Sequence, residues 1–298
     1  MTETFRCADA SEARSEPMFA TASYVRDWLL LEQPGGWGFN AATQSRMARE
    51  LGAALVAHAR AEGVRLILIK RGTRFAGPKP HAYACHVSPH SAWLERMDID
   101  KPEDLLDVDL SAVREDRGGL GEAVDDPIYL VCTHGRHDAC CSIRGNPVSR
   151  LVCATYPGRG WEASHIGGDR FAANIVCLPA GVYLGRVGVE EVAQLIADLE
   201  MGRVDLAHYR GRCCYPFAIQ AAEYYVRLET NIRGINEVVL VRTKRIDAVT
   251  HLATFEALGR PVTVQVRTSA DPSSYQLTCK AERSHSPPRF ELLSIRPG

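Results

Sequence analysis

The sequence lacks an excess of charge of either sign. Its 298 residues include 35 Lys and Arg against 36 Asp and Glu, which gives a formal net charge of −1. Proteins that bind nucleic acid or an anionic membrane surface concentrate basic residues on one face. Because basic and acidic residues are interspersed here, we expect neither a nucleic-acid partner nor a membrane-surface partner.

Long apolar runs are also absent. Apolar runs such as WLLL at 28–31 and LILI at 66–69 have the length of a strand and are far too short to cross a bilayer. The first sixteen residues, MTETFRCADASEARSE, contain neither an apolar stretch nor the cleavage-site pattern of a secretory signal. These features predict a cytoplasmic protein that does not enter the membrane.

Cysteine, in contrast, is abundant. The chain is not a small secreted scaffold, and two pairs of cysteines are adjacent in sequence, so the even count does not indicate disulfides. In a reducing compartment, metal ligation, redox chemistry and burial are the better interpretations. The ten cysteines are Cys7, Cys85, Cys132, Cys140, Cys141, Cys153, Cys177, Cys213, Cys214 and Cys279.

Hydrophobic periodicity and turn residues divide the chain into five parts. They are an N-terminal arm (1–20), an N-terminal α/β domain (21–110), a polar linker (111–127), a second α/β domain (128–211) and a C-terminal region (212–298). The predicted order of elements in the second domain is β-α-β-β-β-α, which is that of a thioredoxin-like domain. The N-terminal domain has a similar order, which suggests a degenerate duplicate.

The C-terminal region is predicted to be an antiparallel β structure that follows an apolar-striped helix at about 216–228. Its alternating segments span 236–245, 249–256, 262–268, 274–281 and 289–295. Glycine and prolines predict a loop at 73–81.

The stretch VCTHGRHDACC, at 131–141, concentrates three cysteines and two histidines. Cys132 ends a predicted buried strand, and Cys141 lies in the first turn of the following helix, with C-x8-C spacing. Both cysteines therefore lie at the carboxyl edge of the sheet, where open α/β folds place their ligands.

A second polar stretch, SHIGGDRFAAN at 164–174, places His165 and Asp169 four residues apart across a Gly-Gly bend. Gly167 and Gly168 allow positive φ and a close approach of the backbone to a bulky group. The two stretches together predict one site.

These stretches together resemble the sucrase/ferredoxin-like family. The matching segments are VCTHGRHDACC, WEASHIGGDRFAANIVCLP and VYLGRV, with EPMFATA and WLLLEQPGGWG upstream, and the resemblance extends over about 16–228. It implies a thioredoxin-like ferredoxin that carries a [2Fe-2S] cluster and transfers electrons. We expect an electron carrier rather than an enzyme, with a component of an oxidoreductase as the alternative. It also implies a separate redox partner protein, because no flavin or nicotinamide motif is present.

In this family the second stretch reads His-x3-His, and two cysteines and those two histidines hold the cluster. If these ligand roles are transferred to the matching positions of this sequence, Cys132 and Cys141 are the thiolate ligands and His165 is an imidazole ligand. The position of the second histidine is occupied by Asp169, so the fourth ligand is this carboxylate or, as alternatives, His134 or His137, with Cys177 as a minor candidate.

Several neighbours of these ligands are expected to support the site. Arg136, Arg170 and the helix start at Asp138 are expected to offset the additional negative charge of Asp169. Asn174 is expected to brace the second stretch, and Cys140 to be structural or weakly reactive. The isolated Cys7, Cys85 and Cys279 are expected to be structural as well.

Three other functions compete with electron transfer. A zinc-binding module with the same ligands is chemically acceptable, although zinc sites usually have shorter C-x2–4-C spacing. A thiol-disulfide redox protein of thioredoxin type would carry C-x-x-C at the helix start, where this sequence has ACC. A glycosidase needs two carboxylates at a set separation, and the sequence contains no motif that identifies such a pair.

Overall fold

The structure is a computed structural model, and it describes residues 4–71 and 79–297. The predicted loop at 73–81 falls mainly outside the described residues. The described α-helices are α1 (Cys7–Ala13), α2 (Arg49–Ala61), α3 (Ser111–Arg114), α4 (Ala139–Thr155), α5 (Val192–Glu200) and α6 (Phe217–Thr230). None of them has the length and apolar character that a membrane-spanning helix requires.

Fourteen strands are formed within the same described ranges. Those of the first 212 residues are β1 (Asp27–Glu32), β2 (Arg65–Lys70), β3 (Ala82–Val87), β4 (Ala92–Met97), β5 (Glu122–Ala123), β6 (Ile128–Cys132), β7 (Gly160–Ala163), β8 (Ile175–Leu178), β9 (Val182–Leu184) and β10 (Tyr209–Arg212). The others are β11 (Val238–Arg245), β12 (Thr250–Ala257), β13 (Arg260–Ala270) and β14 (Pro288–Pro297).

The first ten strands form one mixed sheet in the order β10-β9-β8-β6-β7-β2-β1-β3-β4-β5. Strand β1 pairs in parallel with β2 and antiparallel with β3, which pairs with β4. Strand β6 repeats this arrangement with β7, β8 and β9. Because β2 and β7 pair with each other, the two predicted α/β domains contribute to one continuous sheet.

Both faces of this sheet are buried, as strand β1 illustrates. Successive side chains of a strand point to opposite faces. Trp28 and Leu30 pack into the cluster that includes α6 and the C-terminal strands, whereas Leu29 and Leu31 pack against α2. Cys132, at the end of β6, faces the same side as Trp28. The apolar runs read from the sequence are therefore strands covered on both faces.

The C-terminal region forms a second, four-stranded antiparallel sheet in the order β11-β12-β13-β14. This confirms an α/β protein with an antiparallel β region at its C-terminal end. The strand predicted at 274–281 is wrong, because this segment consists of bends and turns with one isolated bridge between Tyr275 and His285. The backbone N–H of Cys279 donates instead to the Asp138 carboxylate, 2.6 Å away, so a tertiary contact replaces ladder pairing.

Three other regions also differ from the sequence-based expectation. The arm at 1–20 contains helix α1, whose Cys7 and Ser11 are buried where the helix packs against the turn Asp169–Phe171. The linker at 111–127 contains α3 and β5, and β5 pairs with β4. Strand β10 was not predicted, because its sequence YRGR lacks an apolar pattern.

Candidate metal centre

The first loop of the site connects β6 to α4. Asp138 caps the helix, and its Oδ1 accepts the backbone N–H of Cys140 at 2.9 Å. Helix α4 packs closely over the end of the strand at Gly145, where an added Cβ would lie 2.1 Å from the carbonyl oxygen of Cys132. This close packing fixes the positions of Cys132, in the strand, and Cys141, in the first turn of the helix.

The second loop bends at two glycines with positive φ, Gly167 at 100° and Gly168 at 80°. A Cβ on Gly168 would lie 2.2 Å from the guanidinium of Arg210, so the space that glycine leaves open is used by this buried arginine. The bend leads into the short 3-10 turn Asp169–Phe171, which turns the Asp169 carboxylate inward and leaves only 4% of that residue exposed.

The two loops bring the predicted ligands together. The Cys141 thiol donates to Oδ1 of Asp169 at 3.1 Å, and Nδ1 of His165 lies 3.0 Å from the same oxygen. The Cys132 thiol interacts with Cys141 in turn. The four residues named from the sequence therefore form a chain of contacts that runs from Cys132 to His165.

The electrostatics of the two cysteines differ. The hydrogen bond with Cys141 lowers the pKa of Cys132, and this effect outweighs the burial that raises it. The same hydrogen bond, together with burial, raises the pKa of Cys141 well above the ordinary value. The hydrogen bond between the two thiols therefore favours deprotonation of one member of the pair, and a thiolate is the form that binds metal.

His165 and Asp169 favour each other's charged forms. Burial alone would lower the pKa of His165, but the adjacent Asp169 carboxylate outweighs it and raises that pKa. Burial alone would raise the pKa of Asp169, but contacts with His165 and Cys141 lower it below its ordinary value. The buried carboxylate is thus held in its anionic form, which is the form that binds a cation.

The donor atoms of Cys132, Cys141, His165 and Asp169 are of the types that bind metal ions. Nδ1 of His165 lies 3.0 Å from Asp169 without the alignment of a hydrogen bond, and this buried nitrogen has no hydrogen-bond partner among the described residues. A buried nitrogen of this kind is costly unless another group engages it. Two thiols, an imidazole and a carboxylate suit iron or zinc.

His134 is engaged on both ring nitrogens. Its Nδ1 accepts the backbone N–H of His165 at 3.2 Å, so its Nε2 carries the proton and donates to the carbonyl oxygen of Gly38 at 2.7 Å. Burial lowers the pKa of this imidazole and keeps it neutral. His134 therefore braces the two loops, and it has no free nitrogen for a metal in this arrangement.

His137, unlike His134, lies directly beside the proposed ligands His165 and Asp169. Its ring stacks on His165 with centroids 3.7 Å apart, and its Nε2 is 3.7 Å from Oδ2 of Asp169. His137, His165 and Asp169 offer ligand atoms that all lie within 4.8 Å of one another. Of the two alternatives for a fourth ligand, the geometry therefore favours His137 over His134.

Sequence reasoning missed the residue that supports the second loop. The buried guanidinium of Arg210 donates to the carbonyl of Gly167 at 3.0 Å and to Oδ1 of Asn174 at 2.8 Å, and Nδ2 of Asn174 donates to the carbonyl of Gly168 at 2.9 Å. Burial lowers the pKa of Arg210 to about 10. The only sequence signal for this role is an arginine in the unpatterned segment YRGR.

The two arginines expected to offset the charge of Asp169 have other surroundings. Arg170 pairs with Glu16 at 2.8 Å and its guanidinium lies over the ring of Phe171. Arg136 is exposed, and its carbonyl oxygen accepts a hydrogen bond from Lys280. Among the contacts described for this site, neither guanidinium reaches the Asp169 carboxylate.

The fold and the site define an α/β protein with thiol, imidazole and carboxylate groups converging at the edge of a mixed sheet. The model of the sucrase/ferredoxin-like family matches residues 18–211. Because this match covers well over half of the sequence, the chain belongs to the sucrase/ferredoxin-like family. No curated protein and no solved structure matches it.

Proposed function

We propose that this chain is an electron-transfer protein that holds a [2Fe-2S] cluster between its two site loops. Cys132 and Cys141 supply the thiolates, and His165 and Asp169 supply the other two ligands. The observation that carries the proposal is the 3.1 Å contact between Cys141 and Asp169. This contact joins the two loops that, by the resemblance to the family, hold the cluster together. When bound, the cluster would supply one-electron redox chemistry.

The strand pairing supports a thioredoxin-like interpretation of this domain. Strands β7-β6-β8-β9 follow one another in the sheet, with β6 and β7 parallel and the other pairs antiparallel. Strands β2-β1-β3-β4 have the same order and directions. We therefore interpret the N-terminal half as a duplicate of the thioredoxin-like half that has lost the ligands.

The redox partner would dock where the site comes nearest to the surface. Phe39 is 58% exposed and stacks on His137, which in turn stacks on His165. These three rings lie along a cavity of about 290 Å³. An exposed aromatic side chain beside a partly exposed ligand suits a transient protein contact, because it adds apolar area without a large interface.

A mononuclear zinc site is the second candidate, and the triad of His137, His165 and Asp169 favours it. These three residues can surround a single ion, whereas Cys132 and Cys141 do not join them in one group among the residues described. A two-iron cluster needs no such common centre, because each iron takes only two protein ligands. The contact of the Cys141 thiol with Asp169, with Cys132 beside Cys141, therefore favours the cluster.

Anaerobic purification separates the two candidates. The proposal expects a brown protein with about two iron and two sulfide per chain and an EPR signal on reduction. Cys132→Ser should abolish the colour, whereas Cys85→Ser, a buried cysteine in β3, should retain it. A colourless protein with about one zinc per chain would establish the second candidate instead.

A further inference from the structure

A second group of metal-ligating side chains lies beside the proposed cluster site. Cys7, Cys140 and Cys279 converge on the Asp138 carboxylate, and their ligand atoms all lie within 4.8 Å of one another. We call this group the three-cysteine cluster. Cys7 comes from helix α1, Asp138 and Cys140 from the start of α4, and Cys279 from the segment between β13 and β14.

We propose that the three-cysteine cluster binds a structural zinc ion, with the thiolates of Cys7, Cys140 and Cys279 and a carboxylate oxygen of Asp138 as its four ligands. A set of three thiolates and one carboxylate selects a soft or borderline cation. Zinc accepts such a set in tetrahedral geometry, and a closed four-residue set is typical of a structural site rather than a catalytic one.

The distances within the cluster fit this geometry. Sγ of Cys279 lies 3.4 Å from Sγ of Cys140 and 3.6 Å from Sγ of Cys7. Sγ of Cys7 lies 3.5 and 3.6 Å from the two oxygens of Asp138. Around a tetrahedral zinc with ordinary bond lengths, two sulfurs are about 3.8 Å apart and a sulfur and an oxygen about 3.5 Å apart. A small outward shift of the thiols would therefore admit the ion.

A disulfide explains the same cluster less well. The sulfur atoms of a disulfide lie about 2.0 Å apart, and each such bond uses two cysteines. Here Cys279 is nearly equidistant from Cys140 and Cys7, so pairing with either would leave the third thiol beside a carboxylate. Three thiols and one carboxylate arranged around a common point are what a single ion requires.

Charge supports the same conclusion. Asp138 is fully buried, and its oxygens accept the backbone N–H groups of Cys140 and Cys279 at 2.9 and 2.6 Å. They also accept the Cys7 thiol, and the carboxylate caps the N-terminus of α4, but across residues 4–71 and 79–297 no Lys, Arg or His forms an ion pair with it. A buried anion is costly without a compensating cation, and zinc would supply the charge.

The cluster is also separate from the family site. The family match covers residues 18–211, so Cys7 and Cys279 both lie outside it. The ion would connect α1 and the segment after β13 to the loop that positions Cys141, the neighbour of Cys140. Zinc binding would therefore stabilise the first site loop through Cys140, the residue next to the proposed iron ligand Cys141.

Metal analysis of the full chain tests the proposal. The protein is expressed with added zinc sulfate, purified anaerobically, and zinc and iron are measured after gel filtration. The proposal expects about one zinc per wild-type chain. Cys279→Ser should lose most of that zinc while it keeps its iron and sulfide, and Cys85→Ser, the control for removal of a buried thiol, should lose none.

One further variant keeps this result independent of the iron site. The double variant Cys132→Ala, Cys141→Ala should lose iron and keep its zinc. If zinc is instead lost with this double variant and kept with Cys279→Ser, zinc occupies the other site and the proposal is wrong. A wild-type chain without zinc under these conditions would overturn it as well.

Alkylation of the wild-type chain provides a test that needs no variant. In native protein, Cys7, Cys140 and Cys279 should be protected from iodoacetamide when zinc is present and should be labelled after zinc is removed with a chelator. Peptide mass spectrometry assigns each site. Unchanged labelling of the three cysteines, or a disulfide between any two of them in the anaerobic protein, would contradict the proposal.

Discussion

At the scale of single residues, the identity of residue 169 determines the charge of the candidate site. Asp169 is buried and held anionic by His165 and Cys141, at the position where the family resemblance places a neutral imidazole. The proposed ligand set is therefore one formal unit more negative than a set with two histidines. Negative charge around an iron–sulfur cluster lowers its reduction potential, as the comparison of Rieske centres with all-thiolate clusters illustrates.

Replacement of this carboxylate by imidazole reverses the effect. We expect Asp169→His to raise the midpoint potential of the iron–sulfur centre, measured by redox titration of the EPR signal. The same change at the exposed Asp107, in the N-terminal half, should leave the potential unchanged. An unchanged or lowered potential in Asp169→His would contradict direct ligation by Asp169.

Gly168 is a second position where a single atom, the Cβ that glycine lacks, is expected to affect stability. Its φ of 80° and the Arg210 guanidinium, 2.2 Å from an added Cβ, both oppose a side chain, whereas Gly158 has a similar φ of 81° and open space around it. Gly158→Ala should cost about 1–2 kcal/mol of unfolding free energy, the cost of left-handed backbone. Gly168→Ala should cost about 1–3 kcal/mol more, from displacement of a packed group.

Urea denaturation of the two glycine variants measures this difference, since both carry the same backbone strain. In addition, Gly168→Ala should lower the iron content of the purified protein, because Arg210 holds the carbonyl of Gly167 in the ligand loop. Equal losses of stability in the two variants, with full iron in both, would show that Arg210 does not position this loop.

At the scale of elements, helix α6 contains a fully buried ion pair between Glu223 and Arg227, 2.9 Å apart. The Arg227 guanidinium also donates to the carbonyls of Gly234 and Ile235, and Tyr209 donates to Glu223 at 2.8 Å. The pair thus connects α6, strand β10 and the turn that leads to β11. Removal of one partner of a buried pair leaves an uncompensated charge.

We therefore expect Glu223→Gln to destabilise the protein by about 3–5 kcal/mol, with the loss measured by chemical denaturation. The exposed Glu229, one turn and a half further along the same helix, provides the matched control, and Glu229→Gln should change the unfolding free energy by about 0.5 kcal/mol or less. Similar values for the two variants would show that α6 is not anchored by this pair.

The elements also differ in how well the sequence predicted them. Strands β1, β2 and β6 were predicted within a few residues, because uninterrupted apolar runs bounded by turn residues are typical of strands buried on both faces. Helix α1 and strand β10 were not predicted. Their burial depends on contacts with the turn Asp169–Phe171 and with β9, which no local pattern reveals.

At the scale of the whole molecule, the C-terminal sheet belongs to the same hydrophobic core as the ten-stranded sheet. Phe255, in β12, is fully buried and packs in one cluster with Ala222 and Val226 of α6 and with Trp28 of β1. A core that is continuous across both sheets should unfold in a single cooperative transition.

We expect Phe255→Ala to lower the unfolding free energy by about 3–5 kcal/mol. Because the core is shared, near-ultraviolet and far-ultraviolet circular dichroism should report the same shifted midpoint. Leu258→Ala, at a side chain that is 64% exposed and three residues further on, should change the stability by about 0.5 kcal/mol or less. Two separate transitions in Phe255→Ala would show that the C-terminal sheet unfolds independently.

The sequence by itself determined the strands with apolar runs, the antiparallel character of the C-terminal region, and the two polar loops that contain Cys132, Cys141, His165 and Asp169. These follow from local hydrophobic patterns and from residue types at short spacing, which a linear chain records directly. Only the tertiary structure joined the two α/β halves into one sheet, engaged both nitrogens of His134, and placed Arg210 beneath the second loop. It also brought Cys7 and Cys279, 272 residues apart, to the carboxylate of Asp138. Contacts between distant segments depend on how whole elements pack, and no short stretch of sequence records that packing.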